Sequence, residues 1–486
     1  MHRALCPVET LYVGQRSRAV LSCSLRGRVD VGALSAAFDA LTRAHPTLRS
    51  RIARDGDGYA LHLLDEDERP RLSTRTGSDE AAEYAAELNR PLPVGGPLSR
   101  AVLISGPDGK SHLFVLVIDH TVTDGHSSIA ALNALWDQYR ALVEGEPVPM
   151  APAAGGDGDG GPHWPEPVSR LLPPADGAAT AAYLDRRVEA LRRHPVDLVP
   201  YDVPGPATPD APTGTETGAG TGGTAPQADG APRAQTATET GAAPRADGPE
   251  GAGRIEVRRL TLDTDLTARL RSAARAHGVS VHALIGATLL ATARRRLDGD
   301  GPRTLGVLSP VDLRSRLSPA LPAALLVPAV TTHLQTLDVS RASDPAELAR
   351  TVHTRLTRFV ADGDHLHETR ITPEIPRDPA LQRATVIATN MGVVPGPRLP
   401  GGLRMVDVRL VPAREQYFPQ AGRSPVMACV VSFGGRLAIE FPHSTACFSP
   451  SFMRAFRDDV RAGLLRFAHA GRPEHVPAAH VPAAVG

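Results

Sequence analysis

The sequence predicts a protein of mixed α/β or α+β class, built from two halves of similar size. Segments with strand-like and helix-like apolar spacing follow one another along both halves. A stretch without large apolar side chains, residues 204–253, separates the halves. The chain of 486 residues is longer than one core usually organises, and a hydrophobic content of 42% is enough for two cores.

The separating segment has an extreme composition. Residues 204–253 contain no Val, Ile, Leu, Met, Phe, Trp, Tyr or Cys, and consist mainly of Gly, Ala, Pro and Thr. Such a segment cannot bury enough apolar surface to offset the entropy lost on ordering. We therefore predict a disordered linker between an N-terminal subdomain, residues 1–203, and a C-terminal subdomain, residues 254–486.

In the N-terminal half, Asp30 is placed to cap a helix that ends before Pro46. His112–Asp119 is apolar on both faces, which indicates a strand covered on both sides. The GPDG turn before it predicts a hairpin with residues 100–105. Further strands are predicted at 19–25, 48–52 and 59–64, with a helix through 129–142.

In the C-terminal half, the segment Ser280–Leu297 is apolar almost all round, so we expect a buried helix there. The other elements follow from their apolar spacing. Helices are predicted at 266–277, 344–361 and 450–467, and strands at 304–309, 325–330, 384–388, 425–433 and 436–441.

Charge and composition exclude several functions. Lys plus Arg and Asp plus Glu both total 53, so the basic footprint of a nucleic-acid binder is missing. No apolar run is long enough to span a membrane, and no secretory signal is recognisable. The four cysteines form no close-spaced pairs, so we expect neither a metal site nor disulfides. The expectation is a cytoplasmic monomer with no metal and no tightly bound cofactor.

The most informative motif is HTVTDG, residues 120–125, which lies between the buried strand and a helix. A histidine at a strand end can act as a general base near neutral pH. By strand parity, His120 shares a face with Phe114, Leu116 and Ile118. Taken alone, the motif is a weak signal and favours the interpretation that His120 and Asp124 merely shape a turn.

A second pattern overlaps the motif. Gly125-His126-Ser127 begins like the nucleophile elbow of a hydrolase, but Ile129 stands where the final glycine is required. We therefore predict that Ser127 and Ser128 cap the following helix rather than attack a substrate.

Four segments in matching order resemble the condensation-domain superfamily, which includes chloramphenicol acetyltransferase and peptide-synthetase condensation domains. The strongest resemblance is to polyketide-associated acyltransferases of the phthiocerol dimycocerosyl transferase type. The segments are Val29–Ile52, Phe114–Leu132, Leu305–Pro319 and Ala388–Gly396. They span both halves, so the resemblance covers nearly the whole chain outside the linker.

The resemblance implies two chloramphenicol-acetyltransferase-like α/β sandwich subdomains that form a V with a central channel. It assigns His120 as the catalytic histidine that deprotonates the acceptor. It assigns Asp124, with Gly125, to support of the site through an arginine partner. Arg49 occupies the arginine position of one family motif, and Arg314 is the second candidate. Asn390 falls in the family's C-terminal active-site segment, where it could face the channel and the oxyanion.

The family motif often has two consecutive histidines, but here Asp119 precedes His120. This departure favours a stand-alone acyltransferase over a peptide-synthetase domain. The resulting hypothesis is transfer of an acyl group from a coenzyme A or acyl-carrier-protein thioester to an alcohol, forming an ester in polyketide or lipid-type specialised metabolism. Amide formation by the same histidine and a catalytically silent binding scaffold are the alternatives.

Overall fold

A computed structural model describes residues 2–147, 164–203, 253–416 and 425–470. The predicted linker lies outside these described residues apart from Gly253. The described strands are β1 (His2–Ala4), β2 (Ser17–Arg26), β3 (Ser50–Asp55), β4 (Gly58–Leu63), β5 (Leu72–Thr76), β6 (Ser99–Ser105), β7 (Ser111–Asp119), β8 (Ile255–Leu262), β9 (Arg303–Asp312), β10 (Val330–Val339), β11 (Val386–Val393), β12 (Arg404–Arg414), β13 (Val426–Phe433) and β14 (Arg436–Ser444).

Helices cover the faces of the sheets, and most begin at an aspartate or serine cap, as the sequence predicted for Asp30. The described helices are α1 (Pro7–Gln15), α2 (Val31–Ala44), α3 (Glu80–Asn89), α4 (Gly125–Glu144), α5 (Val168–Leu171), α6 (Gly177–Arg193), α7 (Thr264–Ala276), α8 (Val281–Arg294), α9 (Pro345–Ala361), α10 (Asp364–Arg370) and α11 (Pro450–Ala470).

The N-terminal lobe is built on a five-stranded sheet in the order β12-β2-β7-β6-β5. Strand β7 lies in its middle and pairs with both β2 and β6, so the predicted hairpin is confirmed. Phe114, Leu116 and Ile118 pack with α2 and α4 on one face, whereas Val115 and Val117 pack with α3 on the other. This division confirms the predicted parity of the strand.

The C-terminal lobe is built on a six-stranded sheet in the order β10-β9-β11-β13-β14-β8. Its largest core lies between this sheet and the helices α7, α8 and α11. As predicted, α8 is buried nearly all round. The predicted strand at 325–330 is wrong, because this segment is irregular and β10 begins only at Val330. Pro328 within the segment lacks the N–H group that a regular ladder needs.

The two lobes exchange elements across the segment that separates the halves in sequence. Strand β12 comes from the C-terminal half but pairs antiparallel with β2 of the N-terminal lobe along nearly its whole length. Helix α6 comes from the N-terminal half, yet its Tyr183 and Leu191 pack in the C-terminal lobe against Leu308 and Leu334. The protein is a mixed α/β fold of two lobes, and these exchanges join them.

Within the described ranges, no single helix is long and apolar enough to cross a membrane. Helices α7 and α8, which meet at 94°, satisfy the length and composition criteria only when they are taken together.

Candidate active site

The position of His120 is fixed by the strand before it and the helix after it. His120 starts a short 3-10 turn directly after the buried strand β7. Helix α4 then packs back on the sheet, with Trp136 meeting Phe114 edge to face at a centroid distance of 5.3 Å. This packing holds the imidazole at the end of the sheet that faces the other lobe.

The imidazole of His120 stacks on Tyr12 of α1, with ring centroids 4.1 Å apart and an interplanar angle of 12°. Its Nδ1 is buried and has no hydrogen-bond partner among the described residues. The ring forms part of the wall of a cavity between the lobes. Of its two nitrogens, Nε2 is the one that is accessible from this cavity. A neutral imidazole held in this way can accept a proton through Nε2.

The pKa of His120 is lowered to about 4. Burial is the main cause, and the positive charge of the nearby Arg414 is the second. The backbone at His120 and Thr123 and the carboxylate of Asp124 oppose this shift only partly. The ring is therefore neutral at pH 7, with a lone pair available for a proton. Burial likewise raises the pKa of Tyr12 to about 12, so its hydroxyl keeps its proton.

Asp124 links the two lobes through both carboxylate oxygens. Its Oδ1 accepts hydrogen bonds from the backbone N–H and the hydroxyl of Ser127, at 2.8 and 3.0 Å, and so caps α4. Its Oδ2 accepts two hydrogen bonds from Arg314 and one from the backbone N–H of Ala329. The prediction that the serines cap this helix holds only for Ser127, whose hydroxyl accepts a hydrogen bond from the backbone N–H of the N-cap residue Asp124, whereas the hydroxyl of Ser128 bonds to Thr123.

Of the two arginine candidates, the structure places Arg314 beside Asp124 and not Arg49. Arg49 ends a 3-10 turn between α2 and β3, where its guanidinium lies 3.9 Å from Glu66. That turn packs on the small sheet β1-β4-β3, away from the cavity. The expectation that Arg49 supports the site is therefore wrong, because the side chain belongs to another part of the N-terminal lobe.

Gly125 lies close to a side chain of the other lobe and has no unusual backbone angle. A Cβ atom at this position would lie 2.4 Å from Sδ and 2.8 Å from Cε of Met391, on β11 of the other lobe. The motif glycine thus lets α4 approach β11 closely.

Asn390, also on β11, lines the same cavity as His120. Its Oδ1 accepts a hydrogen bond of 2.8 Å from the backbone N–H of Gly392. This contact leaves the Nδ2 group of Asn390 as the donor that can point to a bound molecule.

The cavity has a volume of about 340 Å³ and is lined by both lobes and by the exchanged strand β12. His120, Asp124, Gly125 and Asn390, all predicted from the sequence, share this cavity. Most of its other lining side chains are apolar, as in small-molecule sites generally. No cluster of His, Cys, Asp and Glu within the described residues could hold a metal ion.

Sequence reasoning missed several polar residues of the cavity, among them Tyr12 and Arg414. The capping box of Cys6 and Glu9, with Pro7 at the first helical position, could have predicted α1. The alternating pattern of β12 could have predicted that strand. Neither pattern indicates that these residues meet His120, because the contacts are made only in the tertiary fold.

Comparison with protein families gives a direct result for the C-terminal half. Residues 251–442 match the family described as "Phthiocerol/phthiodiolone dimycocerosyl transferase C-terminus". The phthiocerol/phthiodiolone dimycocerosyl transferase of Mycobacterium leprae is 24% identical over 374 residues, which are 74% of each chain. Its Mycobacterium tuberculosis counterpart is 24% identical over 416 residues, 84% of this chain and 85% of that one.

Solved structures confirm the fold. Polyketide synthase associated protein 5 from M. tuberculosis superposes with a TM-score of 0.65 at 21% identity, over 96% of this chain and 98% of that one. The first condensation domain of the CDA synthetase superposes with a TM-score of 0.65 at 19% sequence identity, over 96% of each chain. Trichothecene 15-O-acetyltransferase from Fusarium sporotrichioides superposes with a TM-score of 0.67 at 10% sequence identity, over 96% of this chain and 95% of that one.

The two-lobed fold is therefore the fold seen in condensation domains and in acyltransferases such as the trichothecene 15-O-acetyltransferase. Within this class, the chain resembles the phthiocerol dimycocerosyl transferases in particular. The predicted enzyme class, an acyltransferase, is confirmed by the relatives that match in sequence.

Proposed function

We propose that this protein transfers an acyl group from a thioester to a hydroxyl group and forms an ester, with His120 as the general base. The observation that carries the proposal is the neutral imidazole of His120, which presents Nε2 to a largely apolar cavity between the lobes. The relatives are named as transferases of a dimycocerosyl group, which supports acyl transfer in lipid or polyketide-type metabolism.

In the proposed reaction, Nε2 of His120 takes the proton of the acceptor hydroxyl while its oxygen attacks the thioester carbonyl. The new C–O bond produces a tetrahedral intermediate with a negative oxygen. When the C–S bond breaks, the thiolate leaves and receives the proton from the imidazolium. All atoms and charges balance without a metal or a redox cofactor.

Two further groups have roles in this proposal. The Nδ2 group of Asn390 is a donor toward the tetrahedral oxyanion, since the Oδ1 atom is held by Gly392. Asp124 and Arg314 do not touch the reacting atoms. They keep the turn after His120 attached to the opposite lobe and are positioning residues.

The donor in this proposal is the thioester of coenzyme A or of a phosphopantetheinyl acyl carrier protein, with the two substrates meeting at His120 in a channel between the lobes. The acceptor is an alcohol-bearing small molecule. A thioester in a site that excludes water is protected from hydrolysis, which suits the apolar lining of the cavity.

The test is direct. Purified protein is incubated with acyl-coenzyme A or acyl-carrier-protein donors and a panel of long-chain alcohols and matched amines. Thiol release and the ester or amide product are followed by mass spectrometry. Ester formation that disappears in His120→Ala supports the proposal. Amide as the main product identifies the amine-forming alternative, and absence of any product with all donors favours a binding scaffold.

A further inference from the structure

The cavity contains a cation that the proposed chemistry does not use. Arg414 is the last residue of β12, the strand that the C-terminal half supplies to the N-terminal sheet. Together with Leu410 and Pro412, the alternate residues of that strand, it lines the cavity that contains His120. Alternate residues of a strand face the same side, so Arg414 lies on the same face as the two apolar residues and places a positive charge at the end of that row.

Strand register places this charge near the proposed base. Arg414 pairs with Ser17 of β2, and the next residue, Arg18, pairs with Asp119 of β7, directly before His120. Two strand spacings therefore separate Arg414 from His120, which is about 10 Å between their backbones. A long arginine side chain spans much of this distance. The effect of the Arg414 charge on His120, Tyr12 and Cys429, which all line the cavity, agrees with this position.

Arg414 has no carboxylate partner among the described residues, and its Nε is buried without a hydrogen bond. The adjacent carboxylate, Glu415, is paired with Arg16 and Arg18 at 2.7 and 3.0 Å. The segment 417–424 contains no Asp or Glu.

The other charges of the cavity are already balanced. Asp124 is bound to Arg314, and Asp312 lies 3.9 Å from both Arg316 and His126. Arg414 is half-buried, so its guanidinium has lost part of its hydration, and without a counter-charge this loss is not replaced. Of all the ionised cavity groups, Arg414 is the one that lacks a partner in the described part of the chain.

We infer that Arg414 binds a carboxylate carried by one of the two substrates, so that the enzyme acts on a hydroxy acid or transfers an acyl group with a free acid. This inference rests on the proposed function, since it names the chemical class of substrate for the same cavity. The planar guanidinium can bind a carboxylate through two parallel hydrogen bonds. The bound anion would also offset one cause of the lowered pKa of His120.

The phosphate groups of a pantetheine donor are a different source of negative charge. They are separated from the thioester by the whole pantetheine arm, whereas Arg414 lines the same cavity as His120. A substrate carboxylate close to the reacting atoms therefore fits the position of Arg414 better. The experiment includes free coenzyme A to separate the two sources.

The test is equilibrium binding by calorimetry, which does not depend on turnover. One arm compares ω-hydroxy acids of increasing chain length with the corresponding hydroxy amides. The other compares glutaryl-coenzyme A with pentanoyl-coenzyme A. Each is measured on wild-type protein, Arg414→Gln and the matched control Arg316→Gln, which removes a cavity cation that already faces Asp312.

We expect wild-type protein to prefer the acid over the neutral analogue in one arm by about 10- to 100-fold, the usual value of a charge-assisted pair. Arg414→Gln should abolish this preference and leave binding of the neutral analogue unchanged, whereas Arg316→Gln should keep the preference. Equal binding of acid and neutral analogue in both arms, or a preference that survives in Arg414→Gln, overturns the inference. A similar loss of affinity for free coenzyme A in Arg414→Gln also overturns it.

The outcome is separable from that of the proposed function. A carboxylate preference that depends on Arg414 in a protein without acyl transfer would leave the inference standing and refute the function. Ester formation with neutral substrates alone, without any preference for the acid in binding, would support the proposed function and refute the inference about Arg414. In His120→Ala, acid binding should persist while transfer is lost.

Discussion

The Oδ2 atom of Asp124 accepts hydrogen bonds of 3.1 and 2.7 Å from Nε and Nη2 of Arg314, a residue 190 positions later in the chain. Both side chains are almost completely buried, with 4% and 5% of their surfaces exposed. Arg314 also donates to the carbonyl groups of Pro322 and Val327. The two residues thus fasten the N-terminus of α4 to an irregular segment of the opposite lobe.

Removing either member of this pair should destabilise the protein. Asp124→Ala and Arg314→Ala each leave the other charge buried without its partner, which costs about 3–5 kcal/mol. Because the residues interact, the double variant should cost less than the sum of the single variants. Denaturant unfolding of the purified proteins measures both effects.

Arg49→Ala is the matched control for that comparison. Its guanidinium lies 3.9 Å from Glu66, whose side chain is 67% exposed, so the expected change is below about 1 kcal/mol. A loss from Arg49→Ala equal to that from Arg314→Ala would contradict the pairing described above.

His120→Ala should abolish chemistry without destabilising the fold. The ring makes a stacking contact with Tyr12, but its Nδ1 has no hydrogen-bond partner among the described residues, so little support is lost. Acyl transfer should fall by about 10²–10⁴-fold, the usual contribution of a general base. Transfer rates and thermal midpoints of the same preparations provide the measurement. Full activity in His120→Ala would disprove the assignment of the base.

The pH profile should show an unusually acidic limb. Neutral imidazole is the form that accepts a proton, so kcat/KM should be constant above the pKa and fall as the pH drops below it. Since burial and Arg414 lower this pKa to about 4, the midpoint should lie near pH 4 and not near 6.5. In Arg414→Gln the limb should move to higher pH, and an unchanged limb would contradict the influence of this cation.

Protein stability must be followed in the same experiment. A histidine whose folded-state pKa is lowered resists protonation in the folded protein, so its contribution is complete above pH 6.5 and is lost as the pH falls toward 4. Burial also lowers the pKa values of His45 and His282 to about 4. The folded fraction, measured by circular dichroism at each pH, therefore has to be used to correct the rates.

Gly125→Ala should disturb the junction between the lobes. The added Cβ would lie 2.4 Å from the Sδ atom of Met391, so the methionine or the helix must move. Because the colliding atoms are the end of a flexible, half-buried side chain, the cost should lie at the lower end for overpacking, about 1 kcal/mol. The variant Gly125→Ala/Met391→Ala removes the collision and should recover most of the stability lost in Gly125→Ala. No recovery would mean that the glycine is needed for another reason.

Replacing residues 204–253 with a short Gly/Ser tether should leave stability and acyl transfer largely unchanged. The flanking ends lie close together, because Val203 donates a backbone hydrogen bond to Cys447 and Arg254 accepts one from Thr445. A short flexible tether can therefore join them. Thermal midpoint and transfer rate are compared with the full chain. Insoluble or unfolded protein would show that the segment contributes to the fold.

Local sequence patterns determined much of the fold. The apolar faces of β7 and α4, the cap at Asp30 and the GPDG hairpin depend on side-chain period and turn chemistry, which act within a few residues. The cavity position of His120 and Asn390 also agreed with the sequence, although here the resemblance to a known family contributed most. The strand predicted at 325–330 is wrong although the segment is apolar, because Pro328 has no N–H for a strand ladder.

Only the tertiary structure decided which distant residues meet. The sequence left Arg49 and Arg314 as alternatives for Asp124, because pairing across 190 positions depends on how the lobes pack. Likewise, the edge of β2 accepts β12 from the other half, and this pairing brings Arg414 to the wall that holds His120. Apolar periodicity specifies which face of an element is buried. The partner of that face, and the charge that remains unpaired beside it, follow from the long-range assembly of the sheets.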